Sequence, residues 1–195
     1  TNPISFAAPV DGARPYLLDM ATSSIPVNRI LQYRALDREL PADVVVDDTG
    51  TMTRDPHAAK SLLSLGGTGY GYKGAGLAGV VTILSGVLSG MCLDHQMPEM
   101  FQPPWSEPRR LGQFFLAMKP ATFIDERLFQ AQLREYLDAL RGQPAHPGER
   151  VMAPGDREWA VERRRSAEGI PLDAHNWEVF AELGAARGIA PLKAI

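Results

Sequence analysis

The sequence has little that would equip the protein for disulfides, metals, membranes or nucleic acids. Its single cysteine, Cys92, excludes an intramolecular disulfide and fits a reducing cytoplasm. Its four histidines are scattered, and none is paired with another histidine or a cysteine at ligand spacing, so we expect no metal site. A net charge of −3 gives no basic stripe for nucleic acid. The longest apolar run, residues 75–91, is broken by glycine and serine, which predicts a buried helix and no membrane span.

The chain also lacks a methionine at its start and a signal peptide. It opens TNPISFAAP, which looks like the interior of a longer sequence. Two explanations stay open: the chain is a fragment, or Thr1 was exposed by cleavage of a precursor. In the second case the α-amine of Thr1 can activate its own hydroxyl, as in N-terminal nucleophile hydrolases and transferases, so Thr1 is a candidate catalytic residue.

What is present is the composition of an ordinary globular protein, with 195 residues of which 45% are hydrophobic and 22% charged. Apolar periodicity predicts strands and helices in irregular alternation, which is typical of the α/β or α+β class. The predicted strands are 4–9, 16–24, 44–46, 113–120 and a short one from Val151. The predicted helices are 25–40, 75–91, 125–141 behind the N-cap Asp125, one after the Pro154-Gly155 turn, and about 173–187, ending at Gly188. Four prolines in residues 97–110 predict a loop or lid.

A glycine-rich stretch, GGTGYGYKGAGLAG at residues 66–79, is typical of phosphate-binding segments. Gly69, Gly71 and Gly74 match the dinucleotide fingerprint G-x-G-x-x-G, and a carboxylate follows about 20 residues later. Lys73 is followed by glycine where a P-loop needs serine or threonine, so no Mg²⁺-binding hydroxyl is present there.

The surrounding sequence does not support a Rossmann fold. The run before the glycines, SLLSL, has no β-branched residue, and the carboxylate, Asp94, does not lie in a predicted strand. Two readings of the glycines stay open. They form a helix N-terminus that binds an anion together with Lys73, or they allow tight helix packing.

A carboxylate in the second predicted strand is a further candidate site residue. In YLLDMATSS, Asp19 lies among apolar neighbours. A buried carboxylate has to find a partner or shift its pKa upward, so we expect Asp19 to do one or the other.

Six segments, taken in order, resemble one family. TNPISFAAP, YLLDMATS, LGGTGYGYKGAGLAGVVTILSGVLSG, FFLAMKPATF, VMAPGDREW and GIPL are together similar to the malate/L-lactate dehydrogenase family, which lacks a Rossmann fold. The resemblance implies an NAD(P)-dependent oxidoreductase that moves a hydride between nicotinamide and a 2-oxo/2-hydroxy acid or a cyclic imino acid. It implies NAD or NADP as the cofactor, and a mixed, largely antiparallel sheet flanked by helices.

The same resemblance assigns roles to residues. Asp19 would be the catalytic-site carboxylate that orients a histidine acid/base, and such a histidine can supply a proton near neutral pH. Residues 1–122 would form the cofactor-binding sheet domain, and residues 123–195 a helical segment that packs on an N-terminal portion and returns the PGDR cofactor loop. The implied cofactor-binding residues are Leu18, Asp19, Met20, Ala21, Thr22, Ser23, Ser24, Tyr72, Lys73, Gly155, Asp156 and Arg157.

The chain departs from the family pattern in two ways. The family's catalytic histidine lies in an N-terminal portion outside these residues, and Asn28 and Arg29 stand where relatives often have a small residue and a lysine. The resemblance therefore implies partners: the N-terminal portion of the same precursor as a separate chain, and a second such unit in a cytoplasmic homodimer. The alternatives are a self-processed enzyme that uses Thr1, and a family scaffold without catalysis.

Overall fold

The computed structural model describes residues 1–97 and 106–193. Within these ranges the chain forms α-helices and small antiparallel sheets, so the α/β (α+β) class is confirmed. Residues 98–105, which hold most of the predicted proline-rich loop, lie outside the described residues. The elements are β1 (Ile4–Ala8), β2 (Tyr16–Met20), α1 (Val27–Ala35), β3 (Val45–Val46), β4 (Ser61–Leu62), α2 (Gly67–Val81), α3 (Glu126–Arg141), α4 (Asp156–Glu168) and α5 (Ala174–Arg187).

The chain divides into two compact units. The first unit comprises Thr1–Phe6 and Leu18–Phe123, and the second comprises Ala7–Leu17 and Ile124–Ile195. Strands β1 and β2 pair in a two-stranded sheet, and each strand passes from one unit into the other. The assignment of a cofactor-binding role to residues 1–122 stays a prediction.

The first unit has a small apolar core beside a short hairpin. Strands β3 and β4 are antiparallel, with Val45 opposite Leu62. Ile30 from α1 packs with Leu40, Val44 and Val45, all nearly inaccessible to solvent. Helix α1 is shorter than predicted, because Pro26 takes an extended conformation just before it and the helix ends at Ala35.

Helix α2 differs from its prediction in both its start and its burial. It begins at Gly67, eight residues before the predicted start, after Gly66 takes a left-handed conformation with φ of 101°. It continues into a π-helical turn, Thr82–Val87. The prediction of a buried helix is wrong for this chain, because large apolar side chains on it, such as Val80 and Ile83, are half exposed or more.

The predicted strand at residues 113–120 is also wrong. Residues 113–119 have no regular secondary structure, and a short 3₁₀ turn, Pro120–Thr122, follows. Phe115 is 86% exposed and Leu116 is 70% exposed. A strand needs a neighbour for its backbone groups, and this segment has none among the described residues.

In the second unit the helix ends follow the sequence closely. The Asp125 carboxylate accepts hydrogen bonds from the backbone of Arg127 and Leu128 and so caps α3, as predicted. Gly188 takes the left-handed conformation that ends α5, also as predicted. Helix α4 follows the Pro154-Gly155 turn as predicted, but no strand forms at Val151. Among the helices of residues 1–97 and 106–193, none combines the length and the hydrophobicity that a membrane span requires.

We predict that Gly74→Ala destabilises the first unit. A Cβ at Gly74 would lie 2.3–2.9 Å from backbone atoms of Leu65, which cannot move like a side chain. Overpacking of this kind costs about 1–3 kcal/mol. Urea unfolding monitored by circular dichroism measures the change.

Gly76→Ala is the matched control, because Gly76 lies in the same helix and has nothing within 4 Å of the added methyl. Replacing a glycine inside a helix with alanine stabilises by roughly 0.5–1 kcal/mol. Equal effects of the two substitutions would contradict the role of Gly74 in close packing.

Candidate functional site

Thr22 joins the start of the chain to the end of β2. Its side chain is 2% exposed, and its hydroxyl lies 3.0 Å from the carbonyl oxygens of both Thr1 and Asn2. Its backbone N–H donates to the carbonyl of Thr1, and its own carbonyl accepts from the N–H of Leu65. The hydroxyl of Thr22, one of the predicted cofactor residues, is therefore hydrogen-bonded to the protein's own backbone.

The two serines after Thr22 are bound to the connection between β4 and α2. Ser24 donates its backbone N–H to Leu63 and its hydroxyl to the carbonyl of Ser64. Ser23 forms an isolated antiparallel bridge with Ser64. The predicted cofactor segment from Leu18 to Ser24 thus ends in a backbone held on both sides by hydrogen bonds.

Helix α2 is fixed to the same cluster. The Asn2 amide donates to the carbonyl of Ala78 at 3.2 Å and lies 2.7 Å from the Thr82 hydroxyl. Gly74 lets α2 press against the backbone of Leu65. The structure therefore brings together Thr1, the end of β2 and the glycine-rich helix, which lie far apart in the sequence.

The N-terminus of α2 already holds a carboxylate of the protein. Asp43 accepts a hydrogen bond from the N–H of Thr68 at 2.9 Å, and a Cβ at Gly67 would collide with the Asp43 carboxylate. The N–H of Gly67 donates to Ser64. The helix entrance proposed from the sequence as an anion site is thus occupied by Asp43, while Gly74 supports the tight-packing reading.

Tyr72 and Lys73, both predicted cofactor residues, lie in the second turn of α2 and face solvent. The Lys73 ammonium lies 5.4 Å from the ring centre of Tyr70 and 5.9 Å from that of Tyr72. The two tyrosines are 65% and 70% exposed. We call Tyr70, Tyr72 and Lys73 the Tyr-Lys cluster. It offers one point charge and two aromatic faces.

Asp19 is exposed in β2, contrary to the expectation of a buried carboxylate. Its neighbours Leu18 and Met20 point to the opposite face of the strand, so an alternating strand leaves Asp19 outside. The four histidines are exposed as well. Thr1 is exposed, with its carbonyl bound by Thr22. Its role as a nucleophile stays a hypothesis.

In the second unit, the predicted PGDR residues form a tight turn that leads into α4. Gly155 has φ of 98°, and an added Cβ there would meet the indole of Trp159 and the backbone of Leu17. The N–H of Leu17 donates to the carbonyl of Pro154 at 3.2 Å. Arg157 is exposed beside Glu158. Glycine is therefore required at 155 for both conformation and space.

Arg141, the last residue of α3, binds this turn, and the sequence did not single it out. It donates two hydrogen bonds to the Asp156 carboxylate, from Nε at 2.9 Å and from Nη2 at 2.7 Å. Asp156 also accepts the N–H of Ala153. The bond to Arg141 holds the pKa of the Asp156 carboxyl below its ordinary value, although burial opposes this. Only a basic last turn of α3 signals Arg141 in the sequence, and helix dipoles explain such residues equally well.

We predict that Thr22→Val destabilises the protein by about 1–2 kcal/mol, because valine keeps the side-chain volume but loses the hydrogen bonding of the buried hydroxyl to the carbonyls of Thr1 and Asn2. Urea unfolding measures the change. Thr68→Val is the control, since Thr68 is an exposed β-branched residue, and it should change stability by less than about 0.5 kcal/mol. An unchanged midpoint for Thr22→Val would show that the hydrogen bonding of the Thr22 hydroxyl does not stabilise the protein.

We predict that Asp156→Asn costs about 1 kcal/mol at neutral pH, a value discounted because Arg141 is 41% exposed. The folded pKa lies below the unfolded value of about 3.9, so the wild-type advantage is full above that value. It is lost as pH falls through the folded pKa. The free energies of unfolding of the wild type and of Asp156→Asn, determined from neutral pH to about pH 3, measure this stability difference.

Asp138→Asn is the control for this pH dependence. Asp138 lies 4.0 Å from Arg141 and is 70% exposed, so its loss should cost no more than about 0.3 kcal/mol. A pH-independent difference between wild type and Asp156→Asn would show that the carboxylate charge has no role.

Comparison with known proteins places these segments in a family. The family model "Malate/L-lactate dehydrogenase" matches residues 1–181. A malate dehydrogenase from Pyrococcus abyssi is 33% identical over 179 residues, covering 88% of this chain and 48% of the relative. A ureidoglycolate dehydrogenase (NAD(+)) from Escherichia coli K12 is 32% identical over 173 residues, with the same two coverages.

Two further relatives are named for other substrates. One is a (2R)-3-sulfolactate dehydrogenase (NADP(+)) from Chromohalobacter salexigens, 32% identical over 85% of this chain and 46% of the relative. The other is a Δ1-pyrroline-2-carboxylate reductase from Ancylobacter novellus, 30% identical over 95% of this chain and 52% of the relative. These names describe the relatives.

The fold gives the same assignment. A crystal structure of malate dehydrogenase from Entamoeba histolytica superposes with a TM-score of 0.87 at 26% identity, covering 98% of this chain and 56% of that one. The chain spans about half the length of the curated relatives it matches. By its sequence over residues 1–181 and by its fold, the chain belongs to the malate/L-lactate dehydrogenase family.

Proposed function

We propose that the chain is the cofactor-binding portion of an NAD(P)-dependent oxidoreductase acting on a 2-oxo/2-hydroxy acid or a cyclic imino acid. The Tyr-Lys cluster carries this proposal: an exposed ammonium between two exposed rings, on a helix that Asn2 and Leu65 hold in place. Relatives named for NAD(+), for NADP(+) and for an imino acid support the range of cofactor and substrate.

Side chains of the first unit offer groups that suit a nicotinamide dinucleotide. The Lys73 ammonium suits a phosphate, and the faces of Tyr70 and Tyr72 suit flat rings. The N-terminus of α2 is excluded, because Asp43 occupies it. Likewise, the Asp156 carboxylate is bound by Arg141, so Arg157 is the member of the GDR triplet whose charged side chain is exposed.

The chemistry requires a hydride and a proton. The bound cofactor supplies or accepts the hydride, and the chain's residues hold the reactants and orient the proton donor. Asp19 has an exposed carboxylate that can accept a hydrogen bond from an imidazole N–H and so fix its tautomer. We propose that this imidazole comes from an N-terminal portion outside these 195 residues, supplied as a separate chain. We propose further that two such units form a homodimer in the cytoplasm.

We predict that the chain binds NADH or NADPH and that Lys73→Ala weakens binding by about tenfold, because one charge-assisted phosphate contact is lost. Titration of each nucleotide followed by its fluorescence measures both affinities. The stronger of the two nucleotides identifies the cofactor.

Lys60→Ala is the matched control, because Lys60 is another exposed lysine of the first unit and lies outside the Tyr-Lys cluster. Its removal should leave the dissociation constant unchanged. Failure of the wild-type chain to bind either nucleotide, or equal weakening by the two substitutions, would overturn the cofactor site proposed here.

A further inference from the structure

The turn at residues 153–157 is anchored by two hydrogen bonds to the chain around the start of β2. The carbonyl of Pro154 accepts the N–H of Leu17 at 3.2 Å. The indole N–H of Trp159, in the first turn of α4, donates to the carbonyl of Pro15 at 3.1 Å. Neither bond involves α3, so the turn is attached to the second unit independently of that helix.

Arg141 adds a contact that fixes the orientation of the turn. Leu137, one helical turn earlier and 2% exposed, holds the face of α3 from which Arg141 extends. The guanidinium donates from Nε to Oδ2 and from Nη2 to Oδ1 of Asp156, and Oδ2 also accepts the N–H of Ala153. Two parallel hydrogen bonds fix the plane of a carboxylate. They therefore also fix the backbone that leads into Arg157.

Stability alone does not account for this contact. The Arg141 and Asp156 side chains are 41% and 22% exposed, and salt bridges that water reaches stabilise proteins only weakly. The turn is attached by other bonds in any case. What the contact supplies is geometry: three donors on its two oxygens keep the Asp156 carboxylate directed toward the protein.

Arg157 is the exposed cation of the turn. Its Nε lies 3.6 Å from the Glu158 carboxylate, and the two side chains are 74% and 53% exposed, so water screens this pair. A guanidinium presents a planar set of donors that suits a phosphate. Because Arg157 follows Asp156 directly, the orientation of Asp156 sets the point from which the Arg157 side chain extends.

We propose that Arg141 is a positioning residue for nucleotide binding. Through Asp156 it orients the turn from which Arg157 binds a phosphate of the nicotinamide dinucleotide. Asp156 then acts on the protein and does not contact the nucleotide, in contrast to the role that the family resemblance implies for it. The inference rests on the proposed function for the ligand, and on the hydrogen bonds of the second unit for the positioning.

Two substitutions separate positioning from simple electrostatic attraction, because they change the charge in opposite directions. Arg141→Gln removes a positive charge beside the turn, and Asp156→Asn removes a negative one. Attraction alone predicts that the first weakens the binding of an anionic nucleotide and that the second strengthens it. Positioning predicts that both weaken it, since either one breaks the paired hydrogen bonds.

The measurement is the dissociation constant of NADH and of NADPH for the 195-residue chain, from fluorescence titration. For the nucleotide that binds more tightly, we expect Arg157→Ala to weaken binding by about tenfold, through the loss of one charge-assisted contact. Arg141→Gln and Asp156→Asn should each weaken it by about threefold or more. Urea unfolding of each variant verifies that it is folded under the titration conditions.

Double variants supply a readout that a merely structural role would not move. In the Arg157→Ala background, Arg141→Gln and Asp156→Asn should each change the dissociation constant by less than about twofold, because no guanidinium is left to position. General loosening of the second unit would weaken binding by the same factor in both backgrounds. Direct contact between Asp156 and the nucleotide would do so as well.

Arg134→Gln is the matched control for the change of charge. It removes the same charge from the same helix, but Arg134 donates to the carbonyl of Asp11 instead of to the turn. It should change the dissociation constant by less than about twofold. An effect as large as that of Arg141→Gln would assign the loss to charge and overturn the inference.

Other results would overturn the inference as well: tighter binding by Asp156→Asn, unchanged binding by Arg141→Gln, or equal weakening with and without Arg157. Two patterns separate it from the proposed function. A wild-type chain that binds neither nucleotide refutes both. Nucleotide binding that Lys73→Ala weakens, and that Arg141→Gln and Arg157→Ala leave unchanged, refutes the inference alone.

Discussion

Buried hydrogen bonds around Thr22 join three parts of the first unit. The N–H and hydroxyl of Thr22 bind the start of the chain, and its carbonyl receives the N–H of Leu65. Leu65 in turn is the surface against which Gly74 packs α2. These contacts join β2, which carries Asp19, to α2, which carries Lys73. The same hydrogen bonds and packing therefore position both residues.

Carboxylates of the protein occupy the places where a free anion would be expected to bind. Asp43 lies at the start of α2, Asp125 and Asp173 cap α3 and α5, and Asp156 receives Arg141 and the N–H of Ala153. Asp43, Asp125 and Asp173 accept hydrogen bonds from backbone donors that a helix N-terminus leaves free, whereas the N–H of Ala153 bound by Asp156 precedes α4. In the proposed function, a dinucleotide is therefore bound by side chains. The Tyr-Lys cluster combines charge with aromatic faces in the first unit, as does Arg38 over the ring of Tyr33.

Few apolar side chains of the described residues are buried, and many large ones are exposed to solvent. The packed apolar cluster of the first unit has four buried residues, Ile30, Leu40, Val44 and Val45. Large apolar side chains elsewhere, Phe115 above all, remain in water. The strand expected at 113–120 does not form, and among the described residues no other segment binds its backbone groups.

Features that depend on neighbours within one helical turn were determined by the sequence itself. Asp125 and Gly188 end their helices as predicted, and β1 and β2 form at their apolar runs, because caps and strand patterns act locally. The family, too, could be recognised from six short segments. The tertiary structure decided what long-range contacts control: that α2 starts at Gly67, that Asp43 fills its N-terminus, and that Arg141 takes the Asp156 carboxylate. The partners in these last two contacts are 25 and 15 residues apart, beyond the reach of any local pattern.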